Sequence, residues 1–188
     1  LLARVLGQTD YGIFALVWVW ILVLGHLSPM GFAQAVCRFA PHYEARDEKD
    51  LLRGFLQTGA LFVAGASLTT EAFGSAVSVF AGPSIEAVSG LPFAIALIVF
   101  PLFALQDYVE NIARAFNWTI IAITPPFIIR HGLIGAGVLG AYLLGLPVSA
   151  SFAIGVVLVA TLVSLLVQTA FVWIRLRKIV SPGPHKHR

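Results

Sequence analysis

Five apolar stretches, each long enough to cross a bilayer, occupy most of this chain and leave little room for any architecture but a bundle of membrane helices. Hydrocarbon about 30 Å thick takes roughly 20 helical residues to cross. The expected spans run from Tyr11 to Val36, Leu51 to Phe80, Leu91 to Ala113, Trp118 to Leu146 and Val148 to Ile174. The predicted fold class is an all-α integral membrane protein, a polytopic helical bundle of about five complete spans plus the end of another. The chain opens without Met, inside an apolar pair followed by Arg4, and is expected to be a fragment forming one transmembrane lobe over residues 1–180. Residues 181–188 are a polar, Pro-rich tail or the start of a linker, and the pair His185 and His187 is too short a signal for a metal site.

Composition supports the membrane class: 59% of residues are hydrophobic and 11% charged, where a soluble domain carries about 25% charged residues. A net charge of +3 does not point to nucleic acid, because the basic residues sit in short segments between apolar runs, where they set topology. One set of connections holds Arg38, Arg46, Lys49, Arg53, Arg114, Arg175, Arg177, Lys178, Lys186 and Arg188; the other holds Arg4 alone. The basic side is therefore expected to be cytoplasmic. The sequon Asn117-Trp118-Thr119 then stays unmodified. Cys37 is the only cysteine, so no intrachain disulfide forms.

Arg130 and His131 are the residues that break the apolar pattern of the fourth span. Counted from Trp118, Arg130 lies about 18 Å into the bilayer. A charge there costs at least about 2.5 to 3.5 kcal/mol unless it faces protein, water or an anion. Pro125 and Pro126 remove two amide donors just before it, and interrupted helices at this depth commonly mark substrate sites in transporters. His131 points about 100° away from Arg130 on a regular helix; a proton-linked role competes with that of a packed histidine.

Along the second span, Ala60, Ala64, Ser67, Glu71, Ser75 and Ser78 follow one another at helical spacing, all small or polar. Such a stripe is either a close-packing seam or one wall of a hydrated cavity. Glu71 favours the cavity, where it would pair with Arg130 or respond to a coupling cation. The expectation is a polar cavity between the second and fourth spans. Asp50 is the expected cap of the second span, Pro29 a kink in the first, and the Ala81-Gly82-Pro83-Ser84 segment a turn.

Several segments together resemble one family. Leu1-Leu2-Ala3-Arg4-Val5-Leu6-Gly7-Gln8-Thr9-Asp10-Tyr11-Gly12 is similar to the loop after the first helix of bacterial polysaccharide-export proteins of the oligosaccharide-lipid flippase type, the O-antigen-type members of the multidrug/oligosaccharidyl-lipid/polysaccharide flippase superfamily. Gly31-Phe32-Ala33-Gln34-Ala35-Val36-Cys37-Arg38-Phe39, the charged loop and Leu51-Leu52-Arg53-Gly54 resemble the next stretch. Gln106-Asp107-Tyr108-Val109-Glu110-Asn111-Ile112-Ala113-Arg114-Ala115-Phe116 resembles the link between the fourth and fifth helices. The resemblance implies two bundles of six helices around a cavity that opens alternately to each side of the bacterial cytoplasmic membrane. Its cargo is a lipid-diphosphate-linked oligosaccharide, and its partners are membrane lipids and a missing second lobe or another copy.

On that resemblance Arg130 becomes the central phosphate contact, with Arg38, Arg53 and Arg114 gathering the headgroup at the cytoplasmic mouth or, more simply, fixing topology. Glu71 and His131 are candidates for ion coupling, and Pro29, Pro101, Pro125 and Pro126 for hinges. No catalytic residue, cofactor or metal is expected. A multidrug or cation antiporter of related fold is the alternative, distinguished by an acidic rather than cationic cavity; a noncatalytic partner of a glycan-synthesis enzyme is another. An enzyme is disfavoured because His42, Glu44, Asp47 and Glu48 are interleaved with Arg46 and Lys49 as a solvated charge run, and no phosphate-cradling Gly-Lys-Ser/Thr loop is present.

Overall fold

A computed structural model describes residues 2–80 and 83–180, and side chains for all of these except 77–80, 83–89 and 180. Among the described residues the secondary structure is helical, with no strand. Five helices are long and apolar enough to span a membrane, so the chain is a multi-pass membrane protein. Of the expected turn, Ala81 and Gly82 lie outside the described residues while Pro83 and Ser84 open a helix; the side chain at stripe position Ser78 and the tail from Ser181 also lie outside them.

Helix α1 covers Leu2–Leu27 and is broken at Gly7, whose φ of 77° suits a residue without Cβ. It ends earlier than expected. Pro29 does not kink a continuous span but sits in a turn after Leu27, where Met30 and Gly31 both take positive φ. The chain then starts a separate helix α2, Phe32–Ala45. α2 contains most of the charged connection from Arg38 to Asp50, expected to be a solvated helical loop, and buries Ala33, Val36 and Ala40. Helix α3, Lys49–Phe80, starts one residue before Asp50, so Asp50 is a first-turn acid rather than the cap.

Helix α4, Pro83–Ala115, is broken at Gly90 and passes through Pro101. Short α5, Thr119–Ile123, leads into a π-helical turn over Thr124–Ile129 and on to α6, Arg130–Leu143. Helix α7, Ala150–Val180, continues past Ile174 and carries Arg175, Arg177 and Lys178 on its final turns. Cations there suit the negative end of a helix dipole, which is why they extend the helix rather than end it.

α4 is the central element, packing against α1, α2, α3 and α7. Two apolar clusters divide the interior. One joins Phe14, Val17 and Ile21 of α1 to Ala96, Val99 and Phe103 of α4, with α6 and the first half of α7. The other joins α2, α3 and α5 to Ala104, Tyr108 and Ile112 of α4 and Val172 of α7. Between the two on α7, and buried with them, stand Thr161, Ser164 and Gln168. The outer surface is apolar as well: Leu61, Phe73 and Ile120 are 75%, 72% and 79% exposed. A contiguous apolar exterior of this kind is satisfied by acyl chains.

Candidate functional site

The site begins with the two prolines. In a regular helix the amides at 125 and 126 would donate to the carbonyls of Ile121 and Ala122, four residues earlier; proline has no N–H to give. Gln168 of α7 supplies the missing donor, its Nε2 lying 3.1 Å from the Ile121 oxygen and 3.4 Å from that of Ala122. Winding then loosens to π geometry, and the Arg130 amide donates to the carbonyl of Pro125, five residues back. Ser164, also on α7, donates its hydroxyl to the same Pro125 oxygen at 2.6 Å.

Ser164 accepts in turn from Nε2 of Gln106 at 2.5 Å. The other end of that amide, Oε1, lies 3.4 Å from Nη1 of Arg130. One chain of polar contacts therefore links α6, α4, α7 and the π turn at the level where the two apolar clusters meet. Arg130 is 5% exposed. Its guanidinium lies 4.6 Å from the Phe103 ring centroid and 5.9 Å from that of Trp18. Its Nε has no hydrogen-bond partner.

Arg130 borders a cleft of about 410 Å³. α1 contributes Trp18, Leu22 and His26; α2 contributes Gln34; the wall on α4 runs from Phe103 through Gln106, Asp107, Glu110 and Asn111 to Arg114. Phe127 and His131 complete it. Arg114 pairs with Glu110 one turn earlier. Asn111 donates to the carbonyl and carboxylate of Asp107 and accepts from the Cys37 thiol at 3.4 Å, which ties α2 to α4. Asp107 keeps one buried carboxylate oxygen without a partner. With both histidines neutral, Arg114 and Arg130 balance Asp107 and Glu110, so the cleft is of mixed charge rather than cationic or acidic.

The cleft that Arg130 borders is not the one expected between the second and fourth spans. The cleft is walled by the first, third and fourth spans together with α2, and among the described residues none of α3 lines it. Glu71 forms no ion pair with Arg130 and does not border the cleft. Of its stripe, Ser67 is fully buried and donates its hydroxyl to the Ala64 carbonyl at 3.0 Å, whereas Ala60, Ala64, Glu71 and Ser75 are half-buried. Arg38 is exposed, 5.6 Å from the ring of Phe39, and Arg53 is exposed in the first turns of α3; neither borders the cleft. Arg114 does, and so does His131, whose Nδ1 lies 3.1 Å from the Pro126 carbonyl oxygen. Arg130 and His131 both border the cleft although one helical step of about 100° separates them on α6. Pro29, Pro125 and Pro126 are buried, and Pro101 is half-buried inside α4.

Sequence reasoning passed over Gln106, Asp107, Glu110 and Asn111 as site residues, and Ser164 and Gln168 altogether. A signal existed for the last two. Thr161, Ser164 and Gln168 recur at three and four residues within the most apolar span of the chain, the pattern of a polar seam facing protein. No family model and no curated protein matches this sequence, and no solved structure matches this fold.

Proposed function

We propose that this chain is a lobe of a membrane carrier that moves a lipid-diphosphate-linked oligosaccharide between leaflets by alternating access, in the cytoplasmic membrane of a bacterium with the basic loops cytoplasmic. The observation that carries the proposal is Arg130: a guanidinium buried at mid-helix depth, held by aromatic faces and one amide, bordering a polar cleft with a donor still unused. The costly step in such transport is bringing phosphate and sugar past acyl chains. Arg130 offsets the phosphate charge, and the exposed Gln34 offers an amide to sugar hydroxyls. The apolar exterior leaves the lipid tails in the bilayer.

Exporting cells test it. Arg130→Gln should abolish appearance of the glycan at the cell surface while Arg130→Lys retains part of it, and undiminished export by the Gln variant would remove Arg130 from the mechanism. A cation antiporter of related fold is the second reading, favoured by the unpartnered carboxylate oxygen of Asp107 in the same cleft. Asp107→Asn separates the two. It should leave a diphosphate carrier's substrate affinity nearly intact and abolish uptake of a cationic dye.

A further inference from the structure

A second pocket, of about 270 Å³, opens at the basic end of the molecule where the α4–α5 turn meets α7. Its lining divides by chemistry. Asn117, Thr119 and Arg175 are polar, whereas Trp118, Ile120 and Ile121 are largely apolar. The turn is fixed by its own backbone: the Asn117 amide donates to Arg114 at 3.0 Å and the Trp118 amide to Ala113 at 2.8 Å. Phe116 stacks on Trp118 with ring centroids 5.0 Å apart, and the Arg175 guanidinium lies 5.7 Å from the Trp118 centroid. A guanidinium engaged through its face keeps in-plane N–H groups for a planar or tetrahedral anion.

Beside this cationic mouth, Ile120 is 79% exposed on the outer, apolar surface. Arg177 and Lys178 on the same turns of α7 add positive charge. A small free anion would use the mouth and ignore Ile120. An anionic phospholipid uses both, with its phosphodiester in the pocket and its chains against the helix. Tryptophan and arginine at the end of a span are the usual anchors at headgroup level. We infer that the pocket formed by Asn117, Trp118, Thr119 and Arg175 binds the headgroup of an anionic phospholipid, at a site separate from the Arg130 cleft and independent of what that cleft carries.

Quenching of Trp118 by brominated lipid tests the inference, in the full chain with Trp18, Trp20 and Trp173 replaced by Phe. One basic residue near the surface enriches anionic over neutral lipid about fivefold, so brominated phosphatidylglycerol should quench Trp118 well beyond brominated phosphatidylcholine at the same mole fraction. Arg175→Gln should remove that preference and leave quenching by phosphatidylcholine unchanged; Arg175→Lys should retain part of the preference. Equal quenching by the two lipids, or a preference that survives Arg175→Gln, overturns the site. Altered quenching by phosphatidylcholine in the Gln variant would make Arg175 a structural residue and overturn it too. Loss of the preference on adding inorganic phosphate at constant ionic strength would assign the pocket to a free anion instead.

Discussion

Gln168 donates from α7 to the carbonyl oxygen of Ile121 at 3.1 Å, filling the place of an amide hydrogen that Pro125 lacks. An irregular backbone is tolerated at membrane depth only where protein satisfies the groups it frees. The interruption ahead of Arg130 and the polar residues of α7 thus form one unit, although 47 positions separate the two partners.

Replacing Gln168 with Leu should therefore destabilise the fold, even though the change increases the apolarity of a membrane helix. The expected loss is about 0.5 to 2 kcal/mol, the range for interhelical hydrogen bonds in bilayers. Unfolding in detergent by a steric-trap or denaturant titration measures it, and an unchanged midpoint would mean that water or lipid replaces the amide.

Restoring both donors with Pro125→Ala and Pro126→Ala should have the opposite structural effect and a functional cost. The π turn should revert to regular winding, slowing hydrogen exchange of the amides from Ile123 to Ile129. Losing the wide turn also rotates Arg130 relative to α5, so transport should fall. A variant with slowed exchange and full transport would disconnect the π turn from the site.

Cleft access is open to direct mapping in a Cys37→Ser background. Cysteines at His26 and Gln34, which border the cleft, should react with an impermeant thiosulfonate. A cysteine at Ser67, fully buried against its neighbours, should not. Rapid labelling at Ser67 would return the cavity to the face of α3.

Close packing of α3 on α2 and α4 depends on Gly59. A Cβ at that position would overlap the Tyr108 hydroxyl and approach the Phe32 ring to 2.5 Å. Tyr108 is anchored by its hydrogen bond to the Leu56 carbonyl at 2.8 Å and cannot easily withdraw. Gly59→Val should cost about 1 to 3 kcal/mol through overpacking, read as a lowered thermal midpoint, whereas Gly54→Val, with open space around it, should cost far less.

Cys37, on α2 outside the spans, reports on the cleft wall. Burial pushes its thiol above the ordinary range; the positive charge of Arg114 opposes the shift and the negative charge of Asp107 adds to it. Only the thiolate reacts, so alkylation should accelerate at higher pH than for a free thiol. Arg114→Gln should move the profile higher still. A profile matching free cysteine would place the thiol in open water.

The spans were legible in the sequence because hydropathy sums over many residues and tolerates local error. Four of the expected spans contain or closely overlap observed helices, whereas the first, expected over Tyr11–Val36, is observed nine residues earlier as Leu2–Leu27 because the chain turns at Ser28–Gly31. That Arg130 would be held within protein rather than against lipid was legible too, since a guanidinium in a long apolar run has few physical outlets. Its surroundings were not. Glu71 drew attention because it lies on a stripe of small and polar residues, yet the acids beside the cleft are Asp107 and Glu110, on the far part of a helix whose C-terminal turns looked like an interfacial link.

What the sequence determined by itself was which segments enter the membrane and that a charge would have to be accommodated among them, because transfer free energy depends on composition along the chain. What the tertiary structure decided was which helix faces meet. Lipid tails are as apolar as leucine, so hydropathy cannot distinguish a face turned to lipid from one turned to a neighbouring helix. That choice is made by small residues such as Gly59, by the few polar contacts from Gln106, Ser164 and Gln168, and by a π turn that changes the angular position of everything after it.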